Sequence, residues 1–527
     1  MEFISYRVCV KGQTPVTGSC PLRHGRITVA PQLPAGVLES VTATLHVDLA
    51  PEEKIFMNGY QTWTYCPEYD RDGYTRRMGP LPRKVIEHFG LERYGDYFFV
   101  DYPQKGGVTH GESYCYFRNG EDWRLFASLD ERPGYTLFRY DSGSHELRLR
   151  RDCEGLRVEA GSFHAFDLFF AQGGEDAVFD AWFAEMGVKF RTKEPIAGYS
   201  SWYNRYEDIS EESIRADLEG CAGQLQPGDL FQIDDGWEAA VGDWLAADEK
   251  KFPGGMKAAA EAIHARGLRA GLWLAPFVCE KESAIYRQHP DWLLQVEGKP
   301  WYCGCNWSGF YSLDIDKPQV ADYLERVFDR VLNEWGYDLV KLDFLYGAAP
   351  FGSERETRAG RMIRAMELLR RVCGEKLILG CGVPVMPAFG LVDYCRVSCD
   401  VSLDWDDKPY MRLVHRERVS TRQAMGNSIF RRQLNGRAWI SDPDVFFLRE
   451  DNVKLSGEQK HILATVNSLF GGVLLHSDDM SRYDSVARAK YAQLLRNRNA
   501  VNIRVHTEKG LVITYELDGV KHAVTVE

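Results

Sequence analysis

The stretch YDLVKLDFLYG, residues 337–347, decides how this chain is read. Its apolar run is that of a buried strand, yet it carries Lys341 and Asp343 two positions apart, and therefore on one face. Burying either charge unpaired is expensive, and burying both merely as an ion pair seldom repays the desolvation. Both charges are tolerable if that face looks into a cavity and not into a core.

The surrounding sequence supplies such a cavity. From about residue 191 short apolar runs alternate with amphipathic segments, the signature of βα units on a parallel sheet. IAGYSSWYN, DLFQIDDGW, RAGLWLAPFV, YDLVKLDFL, KLILGCGV, DYCRVSCDV, RAWISDPDV and GGVLLHSDD read as eight strands. Helices are expected over 210–225, 254–266, 316–335, 353–373, 455–470 and 481–498. Eight such units in about 300 residues match a (β/α)8 TIM barrel. A doubly wound sheet is the other option, but no Gly-rich phosphate turn follows any strand. Upstream, RITVAPQ, ESVTATLHVDL, WRLFASLDE, HELRLRRD and EGLRVEAGSF alternate with period two, as antiparallel strands do. Downstream, VNIRVHTEKGLVITYELDGVKHAVTVE returns to that period, with turns at Lys509-Gly510 and Asp518-Gly519. The expected organisation is an N-terminal β-sandwich (1–190), a catalytic barrel (191–480), and the last barrel helix with a C-terminal antiparallel sheet (481–527).

A net charge of −12 over 527 residues argues against nucleic acid or an anionic membrane as partner. No apolar stretch approaches a membrane span, and the amino terminus has no secretory pattern. Thirteen scattered cysteines, an odd number, fit reduced thiols and a cytoplasmic location. Cys303 and Cys305 have no second Cys pair or nearby His to complete a zinc site. The oligomeric state is not legible. With 13 Trp, 26 Tyr and 27 Phe, the chain has aromatic faces to spare for stacking on sugar rings.

Barrel chemistry belongs at the carboxyl ends of the strands. There the sequence places Asp234 and Asp235, Trp273, Lys341 and Asp343, Arg396 and Asp400, Asp442 and Asp444, and His476, Asp478 and Asp479. Carboxylates, cations and indoles in one cup suit a polyhydroxylated substrate. Clustered acids also suit a hard metal ion, but Lys341 and Arg396 beside them would repel one, so no metal is expected. Cleaving a glycosidic bond needs two carboxyl groups, one ionised and one protonated. Lys341 on the same face would keep Asp343 charged, as a nucleophile requires. Asp400, between Cys399 and Val401, would be the drier general acid.

Together, FQIDDGWE, GDWLAADEKKFPGGM, GLRAGLWLAPFV, LVKLDFLYGAA, RVSCDV and SDPDVFFLR resemble glycoside hydrolase family 36, the bacterial α-galactosidases, and among them the shorter thermophile-type members. The resemblance implies that Asp343 is the nucleophile and Asp400 the acid/base. It implies that Asp234 and Asp235 grip galactose O4 and O6, that Lys341 binds neighbouring hydroxyls and that Arg396 points toward O2. Trp273 and Tyr203 would be aromatic walls, Cys381 a small residue after strand 5, and Trp63 part of a loop leaning over the mouth. The implied activity is retaining hydrolysis of terminal α-D-galactosides without a cofactor, on an α-galactoside oligosaccharide. α-N-acetylgalactosaminidase, or another retaining enzyme of the same clan, stays open as the alternative.

Overall fold

The computed structural model describes residues 2–406, 409, 414–508 and 510–526. At its centre is a parallel sheet curled into a ring. Its strands are β1 (Ile196–Ser200), β2 (Leu230–Ile233), β3 (Arg269–Leu274), β4 (Leu339–Leu342), β5 (Leu377–Gly380), β6 (Tyr394–Arg396), β7 (Ile440–Asp442) and β8 (Val473–His476). Each pairs in parallel with the next from β1 to β7, and β8 pairs with β1. The TIM barrel expected from the sequence is present, with one feature it did not announce. The seventh strand is broken: Ile440–Asp442 pairs with β6, and its continuation Val445–Phe446 pairs with β8. Pro443 has no N–H to give a ladder, and Asp444 sits at φ +76°. The ring closes through that interruption, and the kink turns Asp444 toward the interior.

The helices start where polar caps stop the backbone N–H groups from going unpaired. Ser456 and Gln459 form a reciprocal box at the start of Gly457–Phe470, and Ser210 with Ser213 does the same for Glu211–Gly220. The expected helix over 353–373 starts only at Arg358, because Thr357 is the cap. A helix at Thr421–Phe430 was not anticipated. Its sequence TRQAMGNSIF has no apolar stripe, since its polar side chains are buried against another part of the chain.

That other part is the amino-terminal region, two antiparallel sheets packed face to face. One runs Val16–Pro21, Phe3–Val10, Gly36–His46, Glu146–Asp152, Tyr135–Asp141, Val108–Glu112. The second runs Gly25–Val29, Phe166–Gly173, Asp122–Ser128, Tyr114–Asn119, Lys54–Met57, Glu68–Tyr69. EGLRVEAGSF, expected as a strand, is only two short pairings, Arg157–Val158 and Gly161–Ser162. The loop 58–66 leaves this sandwich and is stitched to the barrel. The Asn427 amide donates to the Thr64 carbonyl, Arg431 donates to Asn58 and the Gln61 carbonyl, and Thr62 N–H reaches the Val383 carbonyl.

At the carboxyl end, Val501–His506, Leu511–Leu517 and Val520–Val526 form an antiparallel sheet. Asp518 and Gly519, both at positive φ, make its second turn, as their types suggest. The first expected turn includes Lys509, which lies outside the described residues. A cleft of about 660 Å³ separates this sheet from the helices Gly457–Phe470 and Ser485–Asn497, away from the carboxyl ends of β2, β4 and β6. No helix among the described residues is long and apolar enough to cross a membrane.

Candidate active site

Inside a barrel of this kind, side chains from alternate strands share a layer. The even strands therefore bring their inward residues together: Asp234 after β2, Lys341 on β4 with Asp343 just after it, and Arg396 on β6 with Asp400 four residues on.

Lys341 donates to Asp234 Oδ2 at 2.9 Å, reaching across β3, and this corrects the reading that Asp343 is its ion-pair partner. Burial pushes the ammonium toward the neutral form. The Asp234 charge, helped by that of Asp343, overrides this and leaves its pKa above the ordinary value. Asp234 also accepts from Gln232 at 2.8 Å, and its own N–H is held by Ser201 Oγ at 2.9 Å. Its neighbour Asp235 accepts the Trp307 indole N–H at 2.8 Å.

Asp343 is aimed by two donors, the Trp273 indole at 3.1 Å to Oδ2 and the Phe344 N–H at 2.9 Å to Oδ1. Phe344 takes φ +53°, an uncommon position for an aromatic residue and a sign of backbone held under strain. Three rings hold it there: Trp63 and Trp307 at 5.0 Å between centroids, and Phe310 at 5.1 Å. Trp63 thus belongs to the barrel mouth, not to the sandwich core. Its indole N–H reaches Cys381 Sγ at 3.3 Å, and burial pushes that thiol well above its usual pKa.

The far wall is more acidic. Arg396 binds Asp400 at 2.9 Å, Asp442 at 3.3 Å and Asp444 at 2.8 Å. These carboxylates occupy the guanidinium that the resemblance directs at a sugar hydroxyl. Tyr203 donates to Asp444 at 2.6 Å, and so does the Val401 N–H at 2.8 Å. The Asp400 side chain is 35% exposed, wetter than its apolar neighbours suggest. Its pKa is nonetheless pushed up to about 7, by burial first and then by the Asp444 charge, against Arg396 and Lys341. The charge of Asp343 contributes to the same rise.

Strand 8 does not contribute as its polar end suggested. Asp478 is buried, accepting from Leu448 and Arg449 N–H groups and from Tyr483, and burial lowers the His476 pKa to about 3. Sequence reasoning gave no role to Trp307, Asp442, Asp444 or Glu238. For Trp307 the available signal was the aromatic density of the loop after β3; for the acids it was the motifs DPD and DDGWE.

A family model described as Melibiase matches residues 186–367. The α-galactosidase Mel36A of Lactobacillus acidophilus is 29% identical over 166 residues, 30% of this chain and 22% of its own. The α-galactosidase AgaA of Geobacillus stearothermophilus is 31% identical over 171 residues, 31% of this chain and 23% of its own. The match thus spans about a fifth of the length of these curated relatives. Among solved structures, TtGalA, an α-galactosidase from Thermus thermophilus, superposes in two complexes. The one with p-nitrophenyl α-D-galactopyranoside has a TM-score of 0.76 at 27% identity, covering 98% of both chains. The one with stachyose has 0.72 at 28%, covering 93% of this chain and 98% of the other. The similarity to TtGalA therefore extends over nearly the whole chain, sandwich and terminal sheet included, and not over the barrel motifs alone.

Proposed function

We propose that this protein is a retaining α-galactosidase that removes terminal α-D-galactosyl residues from galacto-oligosaccharides. Asp343 attacks the anomeric carbon while Asp400 gives its proton to the leaving oxygen. Water, deprotonated by Asp400, then releases galactose from the covalent glycosyl–enzyme with the α configuration kept. Asp234, Asp235 and Lys341 take the ring hydroxyls; Trp273, Tyr203 and Trp63 with Cys381 shape the walls, and Arg396 holds the acid wall. No cofactor enters this scheme. The odd, scattered cysteine count supports a cytoplasmic location. The substrate class is supported by the ligands of TtGalA, a p-nitrophenyl α-galactoside and stachyose.

The observation that carries the reading is the presence of two unlike carboxyls just beyond the carboxyl ends of β4 and β6. Asp343 is held by two N–H donors, and Asp400 keeps its proton to about pH 7. The test is a panel of nitrophenyl glycosides with NMR of the first-formed anomer. Release from the α-galactoside with α-galactose appearing first is expected. Preference for the α-N-acetylgalactosaminide, or β-galactose as first product, would overturn the substrate or the mechanism respectively.

A further inference from the structure

Glu238 lies three residues beyond Asp235 and is 94% buried, being 6% exposed. Its Oε2 meets no donor at all. Its carboxyl is hydrogen-bonded to a second, that of Asp235, which is itself buried and also accepts from the Trp307 indole. Two buried carboxylates without a cation between them repel strongly, so the arrangement is stable only with a proton held between them. Burial raises the pKa of both acids; Asp235 raises that of Glu238 further, while the hydrogen bond with Glu238 lowers that of Asp235, so the proton rests on Glu238.

Among the described residues, no cation forms an ion pair with either acid. Asp234 and Glu207 add negative charge near the pair, and the Lys251 ammonium is spent on the Glu207 and Gly236 carbonyls at 2.8 and 2.9 Å. The turn that joins the two acids is fixed. Gly236, at φ +107°, packs so closely on Glu207 that a Cβ would come within 2.8 Å of its backbone. Trp237 is fully buried, with its indole bonded to the Trp273 carbonyl at 2.9 Å. Glu238 therefore cannot swing out to solvent without dislodging the core.

Resting on the glycosidase reading, we propose that Glu238 is a positioning residue for the sugar site: one proton shared between the Glu238 and Asp235 carboxyls, with the Trp307 indole, locks Asp235 in the orientation that receives the substrate hydroxyl. The proton moves between two oxygens and nothing is consumed. Trp307 touches Phe344 and Trp273, so the same lock braces the residues around Asp343.

The test compares Glu238→Leu, which removes the donor, with Glu238→Gln, whose amide carries hydrogens at every pH. With a nitrophenyl α-galactoside, Glu238→Leu is expected to raise KM about tenfold or more while kcat changes less. Glu238→Gln should recover most of that loss. In the unaltered protein KM should climb at alkaline pH as the shared proton leaves, and Glu238→Gln should flatten that climb while the kcat limb set by Asp400 stays. Unaltered KM in Glu238→Leu, or Glu238→Gln performing no better than Glu238→Leu, overturns the proposal. An infrared difference spectrum between the unaltered protein and Glu238→Gln adds a readout that needs no turnover. A protonated-carboxyl band lost in the variant supports the bridge, and no such band refutes it. Absence of turnover by the unaltered protein would sink the glycosidase reading, leaving the infrared result to judge the bridge.

Discussion

The two walls of the cup are built on the same plan with different charge ratios. On one, Lys341 forms an ion pair with a single carboxylate, Asp234, among the described residues. On the other, Arg396 faces three, Asp400, Asp442 and Asp444. One cation against one acid is balanced. One cation against three leaves an excess of negative charge, and the outermost acid relieves it by holding a proton. Burial first, and this charge imbalance after it, is what makes Asp400 an acid beside an arginine.

Asp343→Asn should break the balanced wall most severely, with kcat falling on the order of 10⁴-fold or more. Circular dichroism should show the fold kept. Asp400→Asn should cost about 10²–10⁴-fold on raffinose-type substrates, and less on nitrophenyl substrates, whose leaving group needs little protonation. A thermal scan at pH 8 supplies a second readout. A raised native pKa means the folded state keeps its proton longer than the unfolded chain. Stability is therefore lost as pH climbs from the ordinary carboxyl range through about 7, and Asp400→Asn should melt higher than the unaltered protein at pH 8.

The cations test the ratio directly. Arg396→Met strands two buried acids and the part-exposed Asp400 and should destabilise by about 3–5 kcal/mol or more. Lys341→Met strands one acid that keeps Gln232 as donor, so its melting temperature should fall less. Equal losses would erase the distinction between the walls. The finest test is Asp444→Asn, a residue type that tolerates the positive φ at this position. It removes one excess charge, so the alkaline limb of kcat/KM, expected near pH 7, should move to lower pH. A limb that stays put would assign the raised pKa of Asp400 to burial alone.

Much of this was legible beforehand. The switch from period two to βα alternation marks where barrel replaces sandwich, because strand and helix periods follow from local backbone geometry. Lys341 and Asp343 share a face for the same reason. The helix Thr421–Phe430 was not legible, because Asn427 and the adjacent Arg431 serve a loop more than 350 residues away in the chain, and no apolar stripe remains to be read. The break in β7 was half-written in DPD, but only ring closure required it.

By itself, the sequence determined which residues end strands and which face they take, and so placed Asp343, Asp400 and most of the sugar-site candidates at one rim. Which charge meets which was decided by the tertiary structure alone. Lys341 goes to Asp234 and not to Asp343, Arg396 gathers three acids, and Trp307 finds Asp235. Pairings between alternate staves depend on how the curled sheet brings their ends together, and that curvature has no local signature in the chain.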